Sequence, residues 1–248
     1  MYWNEKMNRL LFLTVIFTIL CSFQHDSFAM KVQRSEKGNG IVTREARDID
    51  NFTRIHVATA IFAKVRSGDQ FEVVVETDEN LQDNITTKVQ GGELRIFVSK
   101  SIKRSSKMNV YITLPRLEGA KTTSSGTIEG VGNFVCDNFY AEASSAGNVR
   151  INVDAKRIDA RVSSGGDVEL EGKANELYVS ASSGGDFDSP KLNALVAKVR
   201  ASSGADITLT VLNAFIGSAS SGGKIDYYGT PKKVDVSSSS GGDVDHKR

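Results

Sequence analysis

Apolar residues along the second half of the chain alternate with polar ones in short runs: Ile158, Ala160, Val162, and then Leu177, Val179, Ala181. Period two is the signature of strands with one buried face, and no helical spacing survives beside it. The runs themselves repeat. Val149, Val168, Phe187, Ile207, Ile225 and Val244 each stand five residues after the first serine of a Ser-Ser pair, with Ile128 one place early in the first copy. Two residues further on lie Ile151, Leu170, Leu209 and Tyr227, with Ser189 and His246 as exceptions.

The serine pairs, followed by glycine or Ala-Gly, begin at Ser124, Ser144, Ser163, Ser182, Ser202, Ser220 and Ser239, at intervals of 20, 19, 19, 20, 18 and 19. Self-similarity at this period predicts a solenoid in which each copy is one coil. Extended at ~3.3 Å per residue, such a copy covers roughly 60 Å, enough to circle a small coil once. The predicted fold is all-β: a parallel β-helix of ~19-residue coils, whose Ser-Ser-Gly-Gly phrase recurs because the same tight corner is turned in every coil.

The phrase is absent from the N-terminal half, which still reads as strands. These are Phe-Thr-Arg-Ile-His-Val from Phe52, Ile-Phe-Ala-Lys-Val from Ile61, Phe-Glu-Val-Val-Val-Glu from Phe71, Leu-Arg-Ile-Phe-Val from Leu94 and Met-Asn-Val-Tyr-Ile-Thr-Leu from Met108. Ser67-Gly-Asp69 and Gly91-Gly92 supply turns, and Glu79 to Val89 can hold one short helix. Residues 30–50 are polar and read as a lead-in or edge strand. The expected division is 1–29 signal peptide, 30–118 β-rich module or cap, and 119–248 β-helix. A cap would cover the open edge of the first coil.

The leader rests on Lys6 and Arg9, the apolar run Leu10 to Leu20, and Ser27-Phe-Ala29, with cleavage expected after Ala29. Met7 offers an alternative start with a more typical basic region. Cys21 is not expected to be lipidated, because Leu20 stands where a small residue is needed. Without the leader, Cys136 is the sole cysteine, so neither an internal disulfide nor a cysteine-rich zinc site can form. Its apolar setting predicts a small buried hydrophobe. With 31 basic and 30 acidic residues, no global hold on nucleic acid or an anionic membrane is expected. No transmembrane segment is expected in the mature chain.

Asp-Asn-Phe-Thr-Arg-Ile-His-Val (50–57), Glu-Thr-Asp-Glu-Asn-Leu (76–81), Leu-Arg-Ile-Phe-Val (94–98), Val-Tyr-Ile-Thr-Leu-Pro (110–115) and the Ser-Ser-Gly-Gly-Asp series together resemble the head GIN domain family over about residues 38–248. The family is named for autotransporter adhesins of Gram-negative, Bacteroidetes-type bacteria. The resemblance implies an exported β-helical protein of two regions with no established enzymatic activity. No membrane β-barrel segment follows the repeats before His246-Lys-Arg248, so self-translocation is not expected.

Candidate chemistry is sparse. His56 alternates with Ile55 and Val57 and reads as solvent-facing, and His246 lies in the expected frayed tail. Neither suits a Ser-His-Asp triad, and no catalytic residue is assigned. The polar feature that stands out is a ladder four residues past each first serine: Asn148, Asp167, Asp186, Asp206, Lys224 and Asp243. Stacked carboxylates at ~5 Å repel by roughly 1 kcal/mol in water, so they would welcome a cation. Three readings stand side by side: a solvated corner where Asp suits the turn, a Ca²⁺ or glycan-contact strip at Asp167, Asp186, Asp206 and Asp243, and the paired carboxylates of a polysaccharide lyase or hydrolase. The nine-residue period of calcium-binding β-rolls is absent. Tyr178, Tyr227 and Tyr228 are candidate sugar platforms, with Tyr227 expected in the core, and Ser99 to Lys107 forms a basic loop. The resulting expectation is a non-enzymatic binding or adhesion module at the cell envelope, in the periplasm or on the surface. Its partner would be a glycan or a surface protein. The alternative is a carbohydrate-active enzyme on the same scaffold.

Overall fold

A computed structural model describes residues 35–248. The expected leader, with Cys21 and the Ala29 cleavage site, lies outside the described residues.

The N-terminal strands are β1 (Glu36–Lys37), β2 (Val42–Arg47), β3 (Arg54–Val57), β4 (Phe62–Ser67), β5 (Glu72–Asp78), β6 (Ile85–Gln90), β7 (Glu93–Val98), β8 (Ile102–Arg104) and β9 (Met108–Leu114). The helix expected from Glu79 is a 3-10 turn, Glu79–Asn84, and the chain is already extended again from Ile85. There follow β10 (Gly119–Thr122), β11 (Thr127–Ser144), β12 (Asn148–Ser163), β13 (Asp167–Ser182), β14 (Asp186–Ser202), β15 (Asp206–Ser220), β16 (Lys224–Tyr228), β17 (Lys233–Ser239) and β18 (Asp243–His246). From β10 to β16 each strand pairs in parallel with the next in sequence, and β17 and β18 continue the stack in parallel on β15 and β16, giving a parallel β-solenoid of about seven turns.

Each coil is a flattened loop. In β12, Asn148 to Val153 form a first flank and Ile158 to Ser163 a second, with a bend at Asp154 to Arg157 where the buried-exposed alternation slips. The serine phrase closes the loop as a two-residue turn. Ser164 and Gly165 both take positive φ, 52° and 67°, and the Gly166 amide donates to the Ser163 carbonyl at 2.9 Å. Positive φ at both central residues defines the type I′ turn, which favours Gly and Asn. Here a serine stands at the first of these positions in all seven corners, with φ between 48° and 54°.

The geometry also explains the misplaced Ile128. The first corner begins at Thr123, not Ser124: Ser124 and Ser125 hold the two positive φ values, and the Gly126 amide bonds the Thr123 carbonyl. Counted from Thr123, Ile128 is in step. It joins one inward column with Ala63, Val149, Val168, Phe187, Ile207, Ile225 and Val244. All but the last are buried, and each large member contributes about 1.5–3 kcal/mol by leaving water.

The N-terminal strands belong to the same stack. β3 pairs with β10, and β4 with β11, so Arg54–Ser67 forms a coil of its own. On its other side lie β7 and β9, contributed by later sequence. The chain therefore doubles back before the repeats begin. Antiparallel β5 and β2 extend the β9 edge, and β6 extends the β7 edge. The polar lead-in is thus an edge strand, and the sheet runs past residue 118 without a break.

Candidate functional site

The ladder is in register. Thr127, Asn148, Asp167, Asp186, Asp206, Lys224 and Asp243 lie directly over one another, each the first first-flank residue after the corner. Asp186, Asp206 and Asp243 are exposed, and Asp167 is half-buried. Burial pushes the Asp167 carboxyl up from its ordinary value against the pull of Arg150, 3.9 Å away, and the amide of Asn148, which donates at 3.0 Å. Asp186 is raised by burial and then by Asp167, Asp188 and Asp206 around it. Lys224 interrupts the row and turns to Asp226 at 2.9 Å. What stands on this flank is an even run of three carboxylates at strand spacing, able to accept hydrogen bonds from hydroxyl-rich ligands. Among the described residues, no group of three or more His, Cys, Asp or Glu side chains is arranged to hold a metal ion.

Two depressions lie elsewhere. One, of about 560 Å³, opens at the bend and is lined by Arg116, Val135, Cys136, Asp137, Asp154 and Lys156 among others. Its carboxylates are already engaged: Asp137 with Lys156 at 2.9 Å and Asp154 with the Asn133 amide at 3.0 Å. Cys136 is buried, as its setting implies, and burial pushes its thiol up to about 11. The second, about 400 Å³, lies on the N-terminal sheet beside Arg44, Lys64, Arg66 and Tyr111. Beneath it Glu76 accepts hydrogen bonds from Tyr111 (2.9 Å), Asn109 (3.1 Å), Arg44 (3.0 Å) and Lys107 (3.3 Å). Burial raises the Glu76 carboxyl, but these four donors outweigh it and hold it at about 2. That network is satisfied and reads as a clamp on β2, β5 and β9.

The two histidines among the described residues are held more closely than their sequence settings imply. His56 does point outward, yet Arg95 and Lys121 stack on either side of it, and its Nε2 lies 3.1 Å from the Thr123 hydroxyl. Burial is the main cause that lowers its pKa. His246 is not frayed: it closes β18, stacks on Tyr227 with ring centroids 4.8 Å apart, and donates from Nε2 to the Gly229 carbonyl at 2.7 Å. Tyr227 is in the core, against Phe215. Tyr228 is half-buried at the end of β16, and Tyr178 lies under the Arg157 guanidinium, 4.1 Å from its centroid. The basic loop is tied down by β8 pairing with β1, by Lys100 near Glu36 (3.6 Å), and by the Ser106 amide donating to Asp78 at 2.6 Å. The outward second-flank cations Arg161, Lys198 and Arg200 carry no signal in the sequence beyond their alternation with buried Ala160, Val162, Val199 and Ala201.

The family model described as "putative auto-transporter adhesin, head GIN domain" matches residues 51–231. The chain belongs to this family. Among solved structures, a "putative adhesin" of Bacteroides fragilis has a TM-score of 0.80 at 20% identity, covering 86% of this chain and 100% of that one. A "putative lipid binding protein" of Parabacteroides distasonis has a TM-score of 0.70 at 18% identity, covering 87% and 100%. A "putative adhesin" of the same species reaches 0.68 at 17%, covering 86% and 100%. At these identities the likeness shows the fold. A comparison with curated proteins finds no match. Among the described residues no helix is long and apolar enough to cross a membrane.

Proposed function

We propose that this head GIN domain protein is an exported, non-enzymatic binding module that adheres to a glycan or a surface protein at the cell envelope. The observation that carries the reading is the ladder: one side-chain position repeated in register on a rigid stack, which supplies a few similar weak contacts rather than one deep site. Multivalent contact of this kind gains affinity without any strong single subsite. An enzyme acting on polysaccharide needs two carboxylates converging across a cleft. Here Asp167, Asp186 and Asp206 stand in an even row, and the carboxylates in the large depression are bound to Lys156 and Asn133.

The test is a glycan array probed with the purified chain, with and without Ca²⁺, and repeated with Asp186→Ala and Asp206→Ala. Binding that falls in these variants supports the ladder as a contact surface, and loss on removing Ca²⁺ adds a bridging cation held by these carboxylates. No binding in either condition would reject glycan adhesion for the sugars presented and leave a protein partner.

A further inference from the structure

The near-zero net charge conceals a division between the two flanks. The first flank carries the acidic ladder. On the second flank, outward positions form two columns in register: Tyr140, Asp159, Tyr178, Lys198, and beside it Glu142, Arg161, Ser180, Arg200. The carboxylates here are already engaged. Asp159 is gripped by Arg157 through two hydrogen bonds of 2.7 and 2.9 Å. Glu142 accepts from Tyr140 and pairs with Lys121 at 3.1 Å. Arg161 leans toward the Tyr140 ring, 6.0 Å from its centroid. Arg161, Lys198 and Arg200 enter no ion pair among the described residues, and all three are exposed.

Ser180 makes the shape. Its short side chain stands in the column between the two arginines and leaves a notch of about 180 Å³, bounded by Arg161, Tyr178, Lys198 and Arg200, with Asp159, already held by Arg157, at its edge. Across it the arginine backbones are two coils apart, about 10 Å at the usual strand spacing. Three unneutralised cations around a shallow notch call for an anionic group, because charge-assisted hydrogen bonds are the strong ones and arginine suits carboxylate or sulfate. Spacing over two coils exceeds what one small anion spans and suits a chain that carries an acidic group at intervals. The Tyr178 ring, covered on one face by the Arg157 guanidinium, adds apolar bulk to the rim, and nothing in this shallow depression would take an acyl chain.

We propose that the second flank binds an acidic polysaccharide, one bearing uronate or sulfate groups, through Arg161, Lys198 and Arg200 around the Ser180 notch. The proposal rests on the binding-module reading but sets this contact on the flank opposite the acidic ladder and requires no Ca²⁺.

Binding of the purified chain to heparin, polygalacturonate, neutral dextran and single-stranded DNA would be measured by interferometry at about 50 and about 200 mM salt, where charge-driven contacts weaken visibly. Expected is binding to the acidic polysaccharides, weakened roughly tenfold or more by each of Arg161→Gln and Arg200→Gln, the scale of one lost charge-assisted bond. Arg150→Gln, on the first flank, should leave it unchanged. All three positions are exposed, so an unaltered circular dichroism spectrum is expected and checks folding. Equal binding by wild type and the notch variants, or no binding to acidic polymers, overturns the notch. Tighter binding to DNA than to either polysaccharide overturns the saccharide assignment. None of these results decides the ladder, whose Asp186 and Asp206 variants report on the binding-module reading separately.

Discussion

Ser189 occupies an inward position at which the next coil has Leu209 and the preceding coil Leu170. It is fully buried, and a hydropathy argument would replace it with alanine to gain stability. The structure predicts the opposite. The register between β13 and β14 breaks after Val168↔Phe187 and resumes at Gly172↔Leu192. Within that gap the Leu170 amide donates to the Ser189 hydroxyl at 2.9 Å, in place of a backbone carbonyl. Ser189→Ala leaves a buried N–H without an acceptor, a cost of about 1–3 kcal/mol. With a urea slope on the order of 3 kcal/mol/M for a domain of this size, the unfolding midpoint should fall by roughly 0.3–1 M. Amide exchange at Leu170 should quicken, while Ser218→Ala on the outward face should move the midpoint little. A midpoint unchanged or raised in Ser189→Ala would refute the argument that the hydroxyl substitutes for the missing carbonyl.

Two adjacent glycines should respond differently to alanine. Gly184 has φ +67° with nothing near its missing Cβ, so Gly184→Ala should cost about 1–2 kcal/mol of left-handed strain. A Cβ on Gly185 would meet the Ser163 nitrogen and Val162 carbonyl carbon at 2.7 Å, so Gly185→Ala must push adjacent coils away from each other and should melt lower than Gly184→Ala; the reverse order would contradict the packing argument. Glu76 gives a pH prediction. Its folded pKa of about 2 lies below the ordinary 4.5, so the stability it contributes is full above about 4.5 and is lost as pH falls toward 2. Glu76→Gln should lower stability at neutral pH by about 2 kcal/mol and flatten the urea midpoint between those pH values; an unaltered acid limb would show that the clamp does not titrate with folding.

The repeat was legible because a type I′ corner constrains backbone angles, and few residue types satisfy them cheaply. The same constraint fixed the ladder, since a position counted from the corner is a position in register. The offset at Ile128 arose because Thr123 fills the place of the first serine, and hydroxyl residues are interchangeable there while letters are not. In the N-terminal half the strands were readable from alternation, but not the insertion of β3 between β7 and β10 and of β4 between β9 and β11, which depends on pairing partners distant in sequence. The second-flank cations are not legible in the sequence because the column Glu142, Arg161, Ser180, Arg200 shares no letter pattern. Only the folded register brings Arg161 and Arg200 to either side of a serine.

The two ends of each coil divide the labour of keeping time. Corners at the serine phrase hold the phase, with the same two positive φ values in every copy. The breaks in register between repeats fall on the first flank or at the bend beyond it, between Glu129 and Asn133, Val168 and Gly172, Ser189 and Asn193, and Ala194 and Val196. Intervals of 18 to 20 residues are thus absorbed at one edge while the other stays aligned. A lineage of such proteins could gain or lose residues at the slack edge, resculpting the depressions there, without shifting any outward row by a single place.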